Sequence, residues 1–477
     1  MRGLIAEFKR AGCSAGCIIA SAAFVGCFRP APPLEEGDDR LSGLTEETSP
    51  DGDTTTQGHP LLKKRQATKA VSLPTQSTSS TPTTSTTAPA TQTPTTGSGI
   101  PNDTSPTTIP GLSLSTTIVS GLKPTIAGSC DINAAAHAAS TSTGKVQSVT
   151  CNGNGELSIL IHLPAGSSAF NLSVAAAYAD GTNDVRTQTI QRTPFLCPAG
   201  YVGVPGSGIQ GLGNASASKG NTNWWLDIDR DFCVMKYPAK NSNASTYATS
   251  TAAGTPWVSI PRGIDETTAG SAFKACKDAG TSFRLISNTQ WQTVARNAEN
   301  IADNWSGGGV GVGSMARGHT DSSPFGTLTN TTDDNDGYYG TGNSSSQAVD
   351  SGWEQRRTQV ISNGEVLWDF GGNILQSVSD NLSDLGVNPA LGISEYSWTS
   401  SFPITGPLSQ VNRKLFAPAG PYSKPQNIGI MFGGSGGAVS RGGWFGVGNL
   451  SGLYAASLDM DAAASGSFIG FRCAYLP

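Results

Sequence analysis

The stretch Phe283-Arg284-Leu285-Ile286-Ser287-Asn288-Thr289-Gln290-Trp291 runs into a helix. Asn288 stands as N-cap, and Trp291, Val294 and Ala295 recur at helical spacing until the chain reaches Asn300. A second helical signal precedes it. Thr267 to Gly280 places Ala272, Ala275, Cys276 and Ala279 on one face and ends at a glycine C-cap. Around these two helices the sequence is Gly-, Asn- and Ser-rich, as expected for loops joining short strands. All nine tryptophans, the first being Trp224, lie in this half, so the main core belongs here. The pattern predicts a loop-rich α+β domain over residues 194–477.

Upstream, alternating patterns in Lys145 to Thr150, Glu156 to His162, Asn171 to Tyr178 and Asp184 to Ile190 are punctuated by Asn152-Gly153-Asn154-Gly155 and Asp180-Gly181. Short strands with such turn signals predict a small all-β, Ig-like sandwich over residues 121–193, acting as a spacer. Cys130 and Cys151 are candidates to staple it. From Arg29 to Ala169 there is no Phe, Trp or Tyr, and Ser72 to Ser120 is dominated by Thr, Ser and Pro. Such a composition buries too little apolar area to offset chain entropy, so residues 27–120 are expected to form a disordered stalk. The cluster Lys63-Lys64-Arg65 reads as solvated charge.

Residues 1–26 read as a signal peptide: Arg2, Lys9 and Arg10 precede an apolar, small-residue run that ends at Gly26-Cys27. That run is too short to span a bilayer, and no later segment is apolar enough to do so. Thirty Lys and Arg against 35 Asp and Glu give a net charge of -5 with no basic stripe, which excludes nucleic acid as an expected partner.

Specific motifs carry three resemblances. Phe24-Val25-Gly26-Cys27 resembles the lipobox of bacterial lipoproteins, which implies that Cys27 is lipidated and anchors the protein to a membrane, at the outer membrane or cell surface. Six ordered segments resemble the formylglycine-generating-enzyme (sulfatase-modifying factor) family from Cys197 to the end. They are Phe232 to Tyr237, Pro256 to Ile260, Phe283 to Trp291, Asn363-Gly364-Glu365-Val366-Leu367-Trp368-Asp369-Phe370-Gly371-Gly372-Asn373, Arg441-Gly442-Gly443, and Gly470-Phe471-Arg472-Cys473-Ala474. This resemblance implies a C-type-lectin-like fold with its two termini paired as strands. It also implies a disulfide from the first helix to the last strand, Cys276 to Cys473, leaving Cys197 with Cys233. Spacing alone would leave all fifteen pairings of the six cysteines open.

For the site, the resemblance implies a structural calcium held by the side chains of Asp369 and Gln376 and the carbonyls of Gly372 and Ile374. Gln376 stands where the family has Glu, which weakens a hard-cation site. The family's copper is held by two cysteines just after Arg-Gly-Gly, and Val447 and Gly452 stand at those positions, so no copper is expected. The four histidines, His59, His137, His162 and His319, are scattered, and no multi-histidine metal centre is expected in the C-terminal domain. Asp333-Asp334-Asn335-Asp336-Gly337 reads as a solvated turn.

The framework Ser440-Arg441-Gly442-Gly443, Gly452-Leu453-Tyr454 and Ile469 to Cys473 is similar to the variable proteins of diversity-generating retroelements. That resemblance implies an exposed ligand face built from the interspersed residues. We take these as Trp444, Phe445, Val447, Asn449, Leu450, Tyr454, Ala455, Ser457, Asp459, Asp461, Ser465, Ser467 and Phe468. The expected function is binding of an extracellular ligand, and a protein rather than a sugar, because the Glu-Pro-Asn and Gln-Pro-Asp signatures of calcium-dependent sugar binding are absent. The rival expectation is a metal-dependent oxidoreductase of the sulfatase-modifying family with an altered active site.

Overall fold

A computed structural model describes residues 111–206, 230–241, 246–320, 336–341, 353–385, 394–397, 413–422, 426–433 and 436–477. The signal segment, Cys27, the stalk through residue 110, and Asp333, Asp334 and Asn335 lie outside the described residues. The described part of the molecule is sheet-rich with few helices, and the described residues fall in one compact unit. No described helix is long and apolar enough to cross a membrane.

The first layers are two four-stranded sheets. The strands are β1 (Ser113–Leu114), β2 (Ile118–Val119), β3 (Thr125–Ser129), β4 (Ala136–Thr141), β5 (Lys145–Cys151), β6 (Glu156–His162), β7 (Ala169–Ala177) and β8 (Asn183–Arg192). Their orders are β1-β3-β6-β5 and β2-β8-β7-β4. Alternation in β6 and β7 puts Leu157, Ile159, Ile161, Phe170, Leu172, Val174 and Ala176 between the sheets, with Ile126 and Ile190 opposite them. The predicted strands appear as β5 to β8. The stalk assignment is corrected at its end, because β1 and β2 pair with β3 and β8 and so belong to the sandwich. Sequence pattern also missed β4, Ala-His-Ala-Ala-Ser-Thr, whose alanines carry little strand propensity and which is held by six residue pairs with β7.

The remaining elements are β9 (Tyr201–Val204), β10 (Phe232–Met235), α1 (Ala272–Lys277), β11 (Phe283–Leu285), α2 (Asn288–Glu299), β12 (Thr358–Val360), β13 (Val366–Trp368), β14 (Leu375–Asn381), β15 (Ser394–Ser397), α3 (Arg413–Phe416), β16 (Ile430–Gly433), β17 (Ala438–Arg441), β18 (Ala456–Met460), β19 (Ile469–Phe471) and β20 (Cys473–Tyr475). They build a six-stranded mixed sheet β15-β16-β18-β17-β14-β19, a four-stranded sheet β11-β20-β10-β9 and the pair β12-β13. The last strand, β20, lies between β10 and β11, so the beginning and the end of this half share one sheet.

Helix α2 is capped one residue earlier than predicted. Ser287 Oγ accepts from the Gln290 N–H at 3.0 Å, and the Gln290 side chain accepts from the Ser287 N–H at 3.0 Å, a capping box. Asn288 instead donates its side-chain amide to the Leu415 carbonyl at 2.9 Å. The first helix is shorter than predicted. It ends at Lys277 with Asp278 as C-cap, and Gly280 follows in the turn. Ala272, Ala275 and Cys276 form its buried face, as the spacing required. Trp291 is fully buried, stacks on Phe370 with ring centroids 3.9 Å apart, and donates its indole N–H to the Leu453 carbonyl at 2.8 Å.

The sandwich does not hang free of the C-terminal half. His162 Nδ1 lies 2.7 Å from Ser362 Oγ, and Gln147 donates to the Ser362 carbonyl at 3.0 Å. Asn363 donates to the carbonyls of Leu163 and Gly203, at 3.2 and 2.8 Å. Burial at this junction holds the His162 imidazole down to about 4, so it packs there as a neutral ring.

Candidate ligand-binding face

The candidate residues follow strand β17. Its last residue, Arg441, is fully buried, with its guanidinium donating to the side-chain oxygens of Asn288 and Gln292 at 3.1 and 3.2 Å and lying 5.5 Å from the Phe416 ring. Gly442 and Gly443 then turn the chain with φ of 91° and 74°. A side chain at Gly442 would press on the Trp291 ring and the Phe370 carbonyl, and one at Gly443 would meet Ser451 at under 3.0 Å. Both positions therefore require glycine. Ser451 Oγ donates back to the Gly442 carbonyl at 2.7 Å and closes the loop at its base.

This closed loop presents Trp444 and Phe445, each half-buried, with ring centroids 5.2 Å apart and nearly perpendicular. Trp444 also stacks on half-buried Phe468, centroids 4.5 Å apart with planes at 29°. Phe468 is delivered from the segment before β19, where its carbonyl accepts from the Leu375 N–H at 2.9 Å. Three rings from two separate segments thus form one partly exposed cluster. Val447 and Leu450 are half-buried around a short 3-10 turn, and Asn449 is exposed on it. Asp461, Ser465 and Ser467 are exposed on the segment leading to Phe468, and Asp459 is half-buried.

Three expected face residues are not on any surface. Tyr454 is completely buried, with its hydroxyl donating to the Glu299 carboxylate. The same carboxylate accepts the N–H groups of Ala419 and Gly420, so Tyr454 closes a buried polar network instead of contacting a ligand. Ala455 and Ser457 are 3% and 2% exposed, at and within the start of β18 in the middle of the six-stranded sheet. Side-chain variation there would act on the core.

Both implied side-chain ligands of calcium are engaged otherwise. Asp369 accepts both arms of the Arg357 guanidinium, with Nε 2.7 Å from Oδ1 and Nη2 2.5 Å from Oδ2, and both residues are buried. Asn373 adds a third donor to the Asp369 carboxylate at 3.0 Å. The Gln376 amide donates to the Asp369 carbonyl at 2.7 Å, while its oxygen accepts from Arg472 Nε at 3.0 Å. The Gly372 carbonyl accepts the Ile374 N–H at 2.7 Å. Both side-chain donors of the set are thus committed to arginines, and a cation placed between them would face the Arg357 charge directly. The residues do not fit a bound calcium. Nothing local in the sequence links Arg357 to a carboxylate twelve positions away.

At the implied copper positions, Val447 caps the 3-10 turn, and Gly452 packs so closely that a Cβ would lie 2.5 Å from the Ile428 carbonyl carbon. Every cysteine among the described residues is in a disulfide, with pairs Cys130–Cys151, Cys197–Cys233 and Cys276–Cys473.

In comparisons with known proteins, no family model matches this chain, and no curated protein matches it significantly.

Proposed function

We propose that this chain is an exported lipoprotein whose C-terminal half is a C-type-lectin-like head that binds a protein ligand outside the cytoplasm. In this reading Cys27 carries the lipid anchor, the Thr/Ser/Pro-rich segment is a stalk, and the Ig-like sandwich is a spacer hydrogen-bonded to the head. The lectin-like assignment is supported by β20 lying between β10 and β11 and by the bridge from α1 to β20.

The observation that carries the binding role is the Trp444, Phe445 and Phe468 cluster on a glycine-turned, internally hydrogen-bonded loop. Aromatic side chains held by a rigid backbone offer contact area at small entropy cost, and exposed Asn449, Asp461, Ser465 and Ser467 supply adaptable hydrogen bonding beside them. The oxidoreductase reading meets an obstacle at Gly452, where the packing leaves no room for a thiolate side chain.

Trp444→Ala and Phe468→Ala are expected to weaken capture of surface proteins by the purified head by about 10- to 100-fold, equivalent to about 1–3 kcal/mol. Tyr454→Phe is expected to leave capture unchanged, because its side chain is interior. Equal capture by wild type and the Trp444 and Phe468 variants at equal melting temperature would remove this face from consideration. For the anchor, Cys27→Ser is expected to move the protein from the membrane to the soluble exported fraction. A Cys27→Ser protein that stays membrane-bound with its signal cleaved would exclude lipidation.

A further inference from the structure

We propose that Cys130, Cys151 and His137 form a redox-gated zinc site that links the two sheets of the sandwich. Cys130 follows β3 and Cys151 ends β5, both in one sheet, whereas His137 lies on β4 at the edge of the other. A ring nitrogen of His137 and the two sulfurs all lie within 4.8 Å of one another, and no other set of three His, Cys, Asp or Glu side chains converges this way among the described residues. His137 Nε2 is shielded from solvent and has no hydrogen-bond partner. His137 therefore has an unengaged ring nitrogen to offer.

Two thiolates and an imidazole are a donor set that zinc accepts, with a fourth position open to water. Tetrahedral zinc with Zn–S bonds of about 2.3 Å holds its sulfurs about 3.8 Å apart. In the disulfide the sulfurs are 2.03 Å apart on Cα atoms 6.0 Å apart, so reduction has to let them separate before zinc fits between them. Asp131, beside Cys130, is turned to Tyr178 and Asn133, with oxygens 3.2 Å from the Tyr178 hydroxyl and 2.9 Å from the Asn133 N–H.

In the oxidised protein the two sulfurs are bonded to each other and the site is closed. A dithiol reductant of the thioredoxin class opens it. Its thiolate attacks the sulfur of Cys151, a half-buried residue where Cys130 is fully buried, two electrons pass to the Cys130–Cys151 bond, and the reductant leaves as its own disulfide. Zinc then displaces one proton from each thiol and takes a lone pair from a His137 ring nitrogen. The disulfide ties β3 to β5 within one sheet, whereas the metal would tie that sheet to β4 in the other.

The test uses the full chain, treated with a phosphine reductant and titrated with cobalt(II) and then zinc. Wild type is expected to bind one cobalt per chain with thiolate-to-cobalt charge transfer and tetrahedral d–d bands, to exchange it for zinc, and to recover in melting temperature on zinc addition. Oxidised wild type should bind none. His137→Ala keeps every cysteine, so any metal held by the other thiols persists in it, while the one-per-chain tetrahedral signal and the zinc-dependent recovery should vanish. Oxidised His137→Ala should melt with oxidised wild type, which shows that it folds. Reduced wild type without the tetrahedral signal, or His137→Ala with the same stoichiometry and spectrum, overturns the proposal. Neither outcome bears on the binding face of the head.

Discussion

Replacing Cys276 and Cys473 together by serine is expected to lower the unfolding free energy of the C-terminal half by about 3–5 kcal/mol. The two cysteines are 197 residues apart, and a closed loop of that length removes the most entropy from the unfolded chain, about 5 kcal/mol by the chain-entropy relation. The Cys130–Cys151 bridge, with a separation of 21, is worth about 3 kcal/mol on the same relation. Both Cys276 and Cys473 are fully buried beside Ala272, Ala275, Leu285 and Phe471, so the loss adds to a core that must repack around two hydroxyls. Urea unfolding of the double-serine protein against wild type measures it. A loss no larger than that of the Cys130→Ser/Cys151→Ser protein would show that loop length does not rank these bridges.

Arg472→Met is expected to cost about 3–5 kcal/mol, the range for removing one partner from a buried, fully hydrogen-bonded charge. Arg472 is wholly inaccessible to solvent. Its guanidinium donates to the Gln376 side chain at 3.0 Å, to the Trp368 carbonyl at 2.6 Å, to the Asp369 carbonyl at 3.1 Å and to the Met235 carbonyl. Met235 lies on β10, Trp368 on β13 and Gln376 on β14, so one side chain ties together all three sheets of this half. Methionine matches its length but takes a donor away from four buried acceptors, of which the Asp369 carbonyl keeps the Gln376 amide, so the expected cost exceeds that of a cavity of similar size. Arg472→Lys should recover only a small part, because a point charge with three donors cannot reach four acceptors in a planar arrangement. Thermal unfolding of the two variants checks this. A methionine variant within about 1 kcal/mol of wild type would show that the arginine contributes no net stability, as replacement of some buried charges does.

The candidate site was legible in its framework and illegible in its exposure. Gly442 and Gly443 stand out in sequence as an adjacent pair, and the structure needs both for a turn pressed against Trp291 and Ser451. Trp444, Phe445 and Phe468 read as face residues, but their stacking joins segments 24 positions apart, between Trp444 and Phe468, and no local pattern encodes it. Tyr454 reads like a neighbouring aromatic in the same loop, yet its hydroxyl partner, Glu299, is 155 residues away on α2. Asp369 and Gln376 read as oxygen donors for a cation, and Arg357 and Arg472 claim them instead.

Local chemistry by itself determined the elements whose signals are periodic and self-contained. The alternation of β5 to β8, the apolar face of α1, the helix opening near Ser287 and the glycine turns follow from side-chain spacing and backbone sterics within a few residues. Tertiary structure decided everything that depends on what lies across the chain. It drew Ser113–Leu114 and Ile118–Val119 into the sandwich by pairing them with strands already formed. It set β20 between β10 and β11, buried Ser457 in the middle of a six-stranded sheet with Ala455 just before it, and paired Asp369 and Gln376 with arginines. The physical reason is one of range. Propensity and periodicity act through neighbours in sequence, whereas burial, charge pairing and exposure are fixed by contacts between residues far outside that range, from twelve positions apart for Arg357 and Asp369 to 237 for Arg472 and Met235.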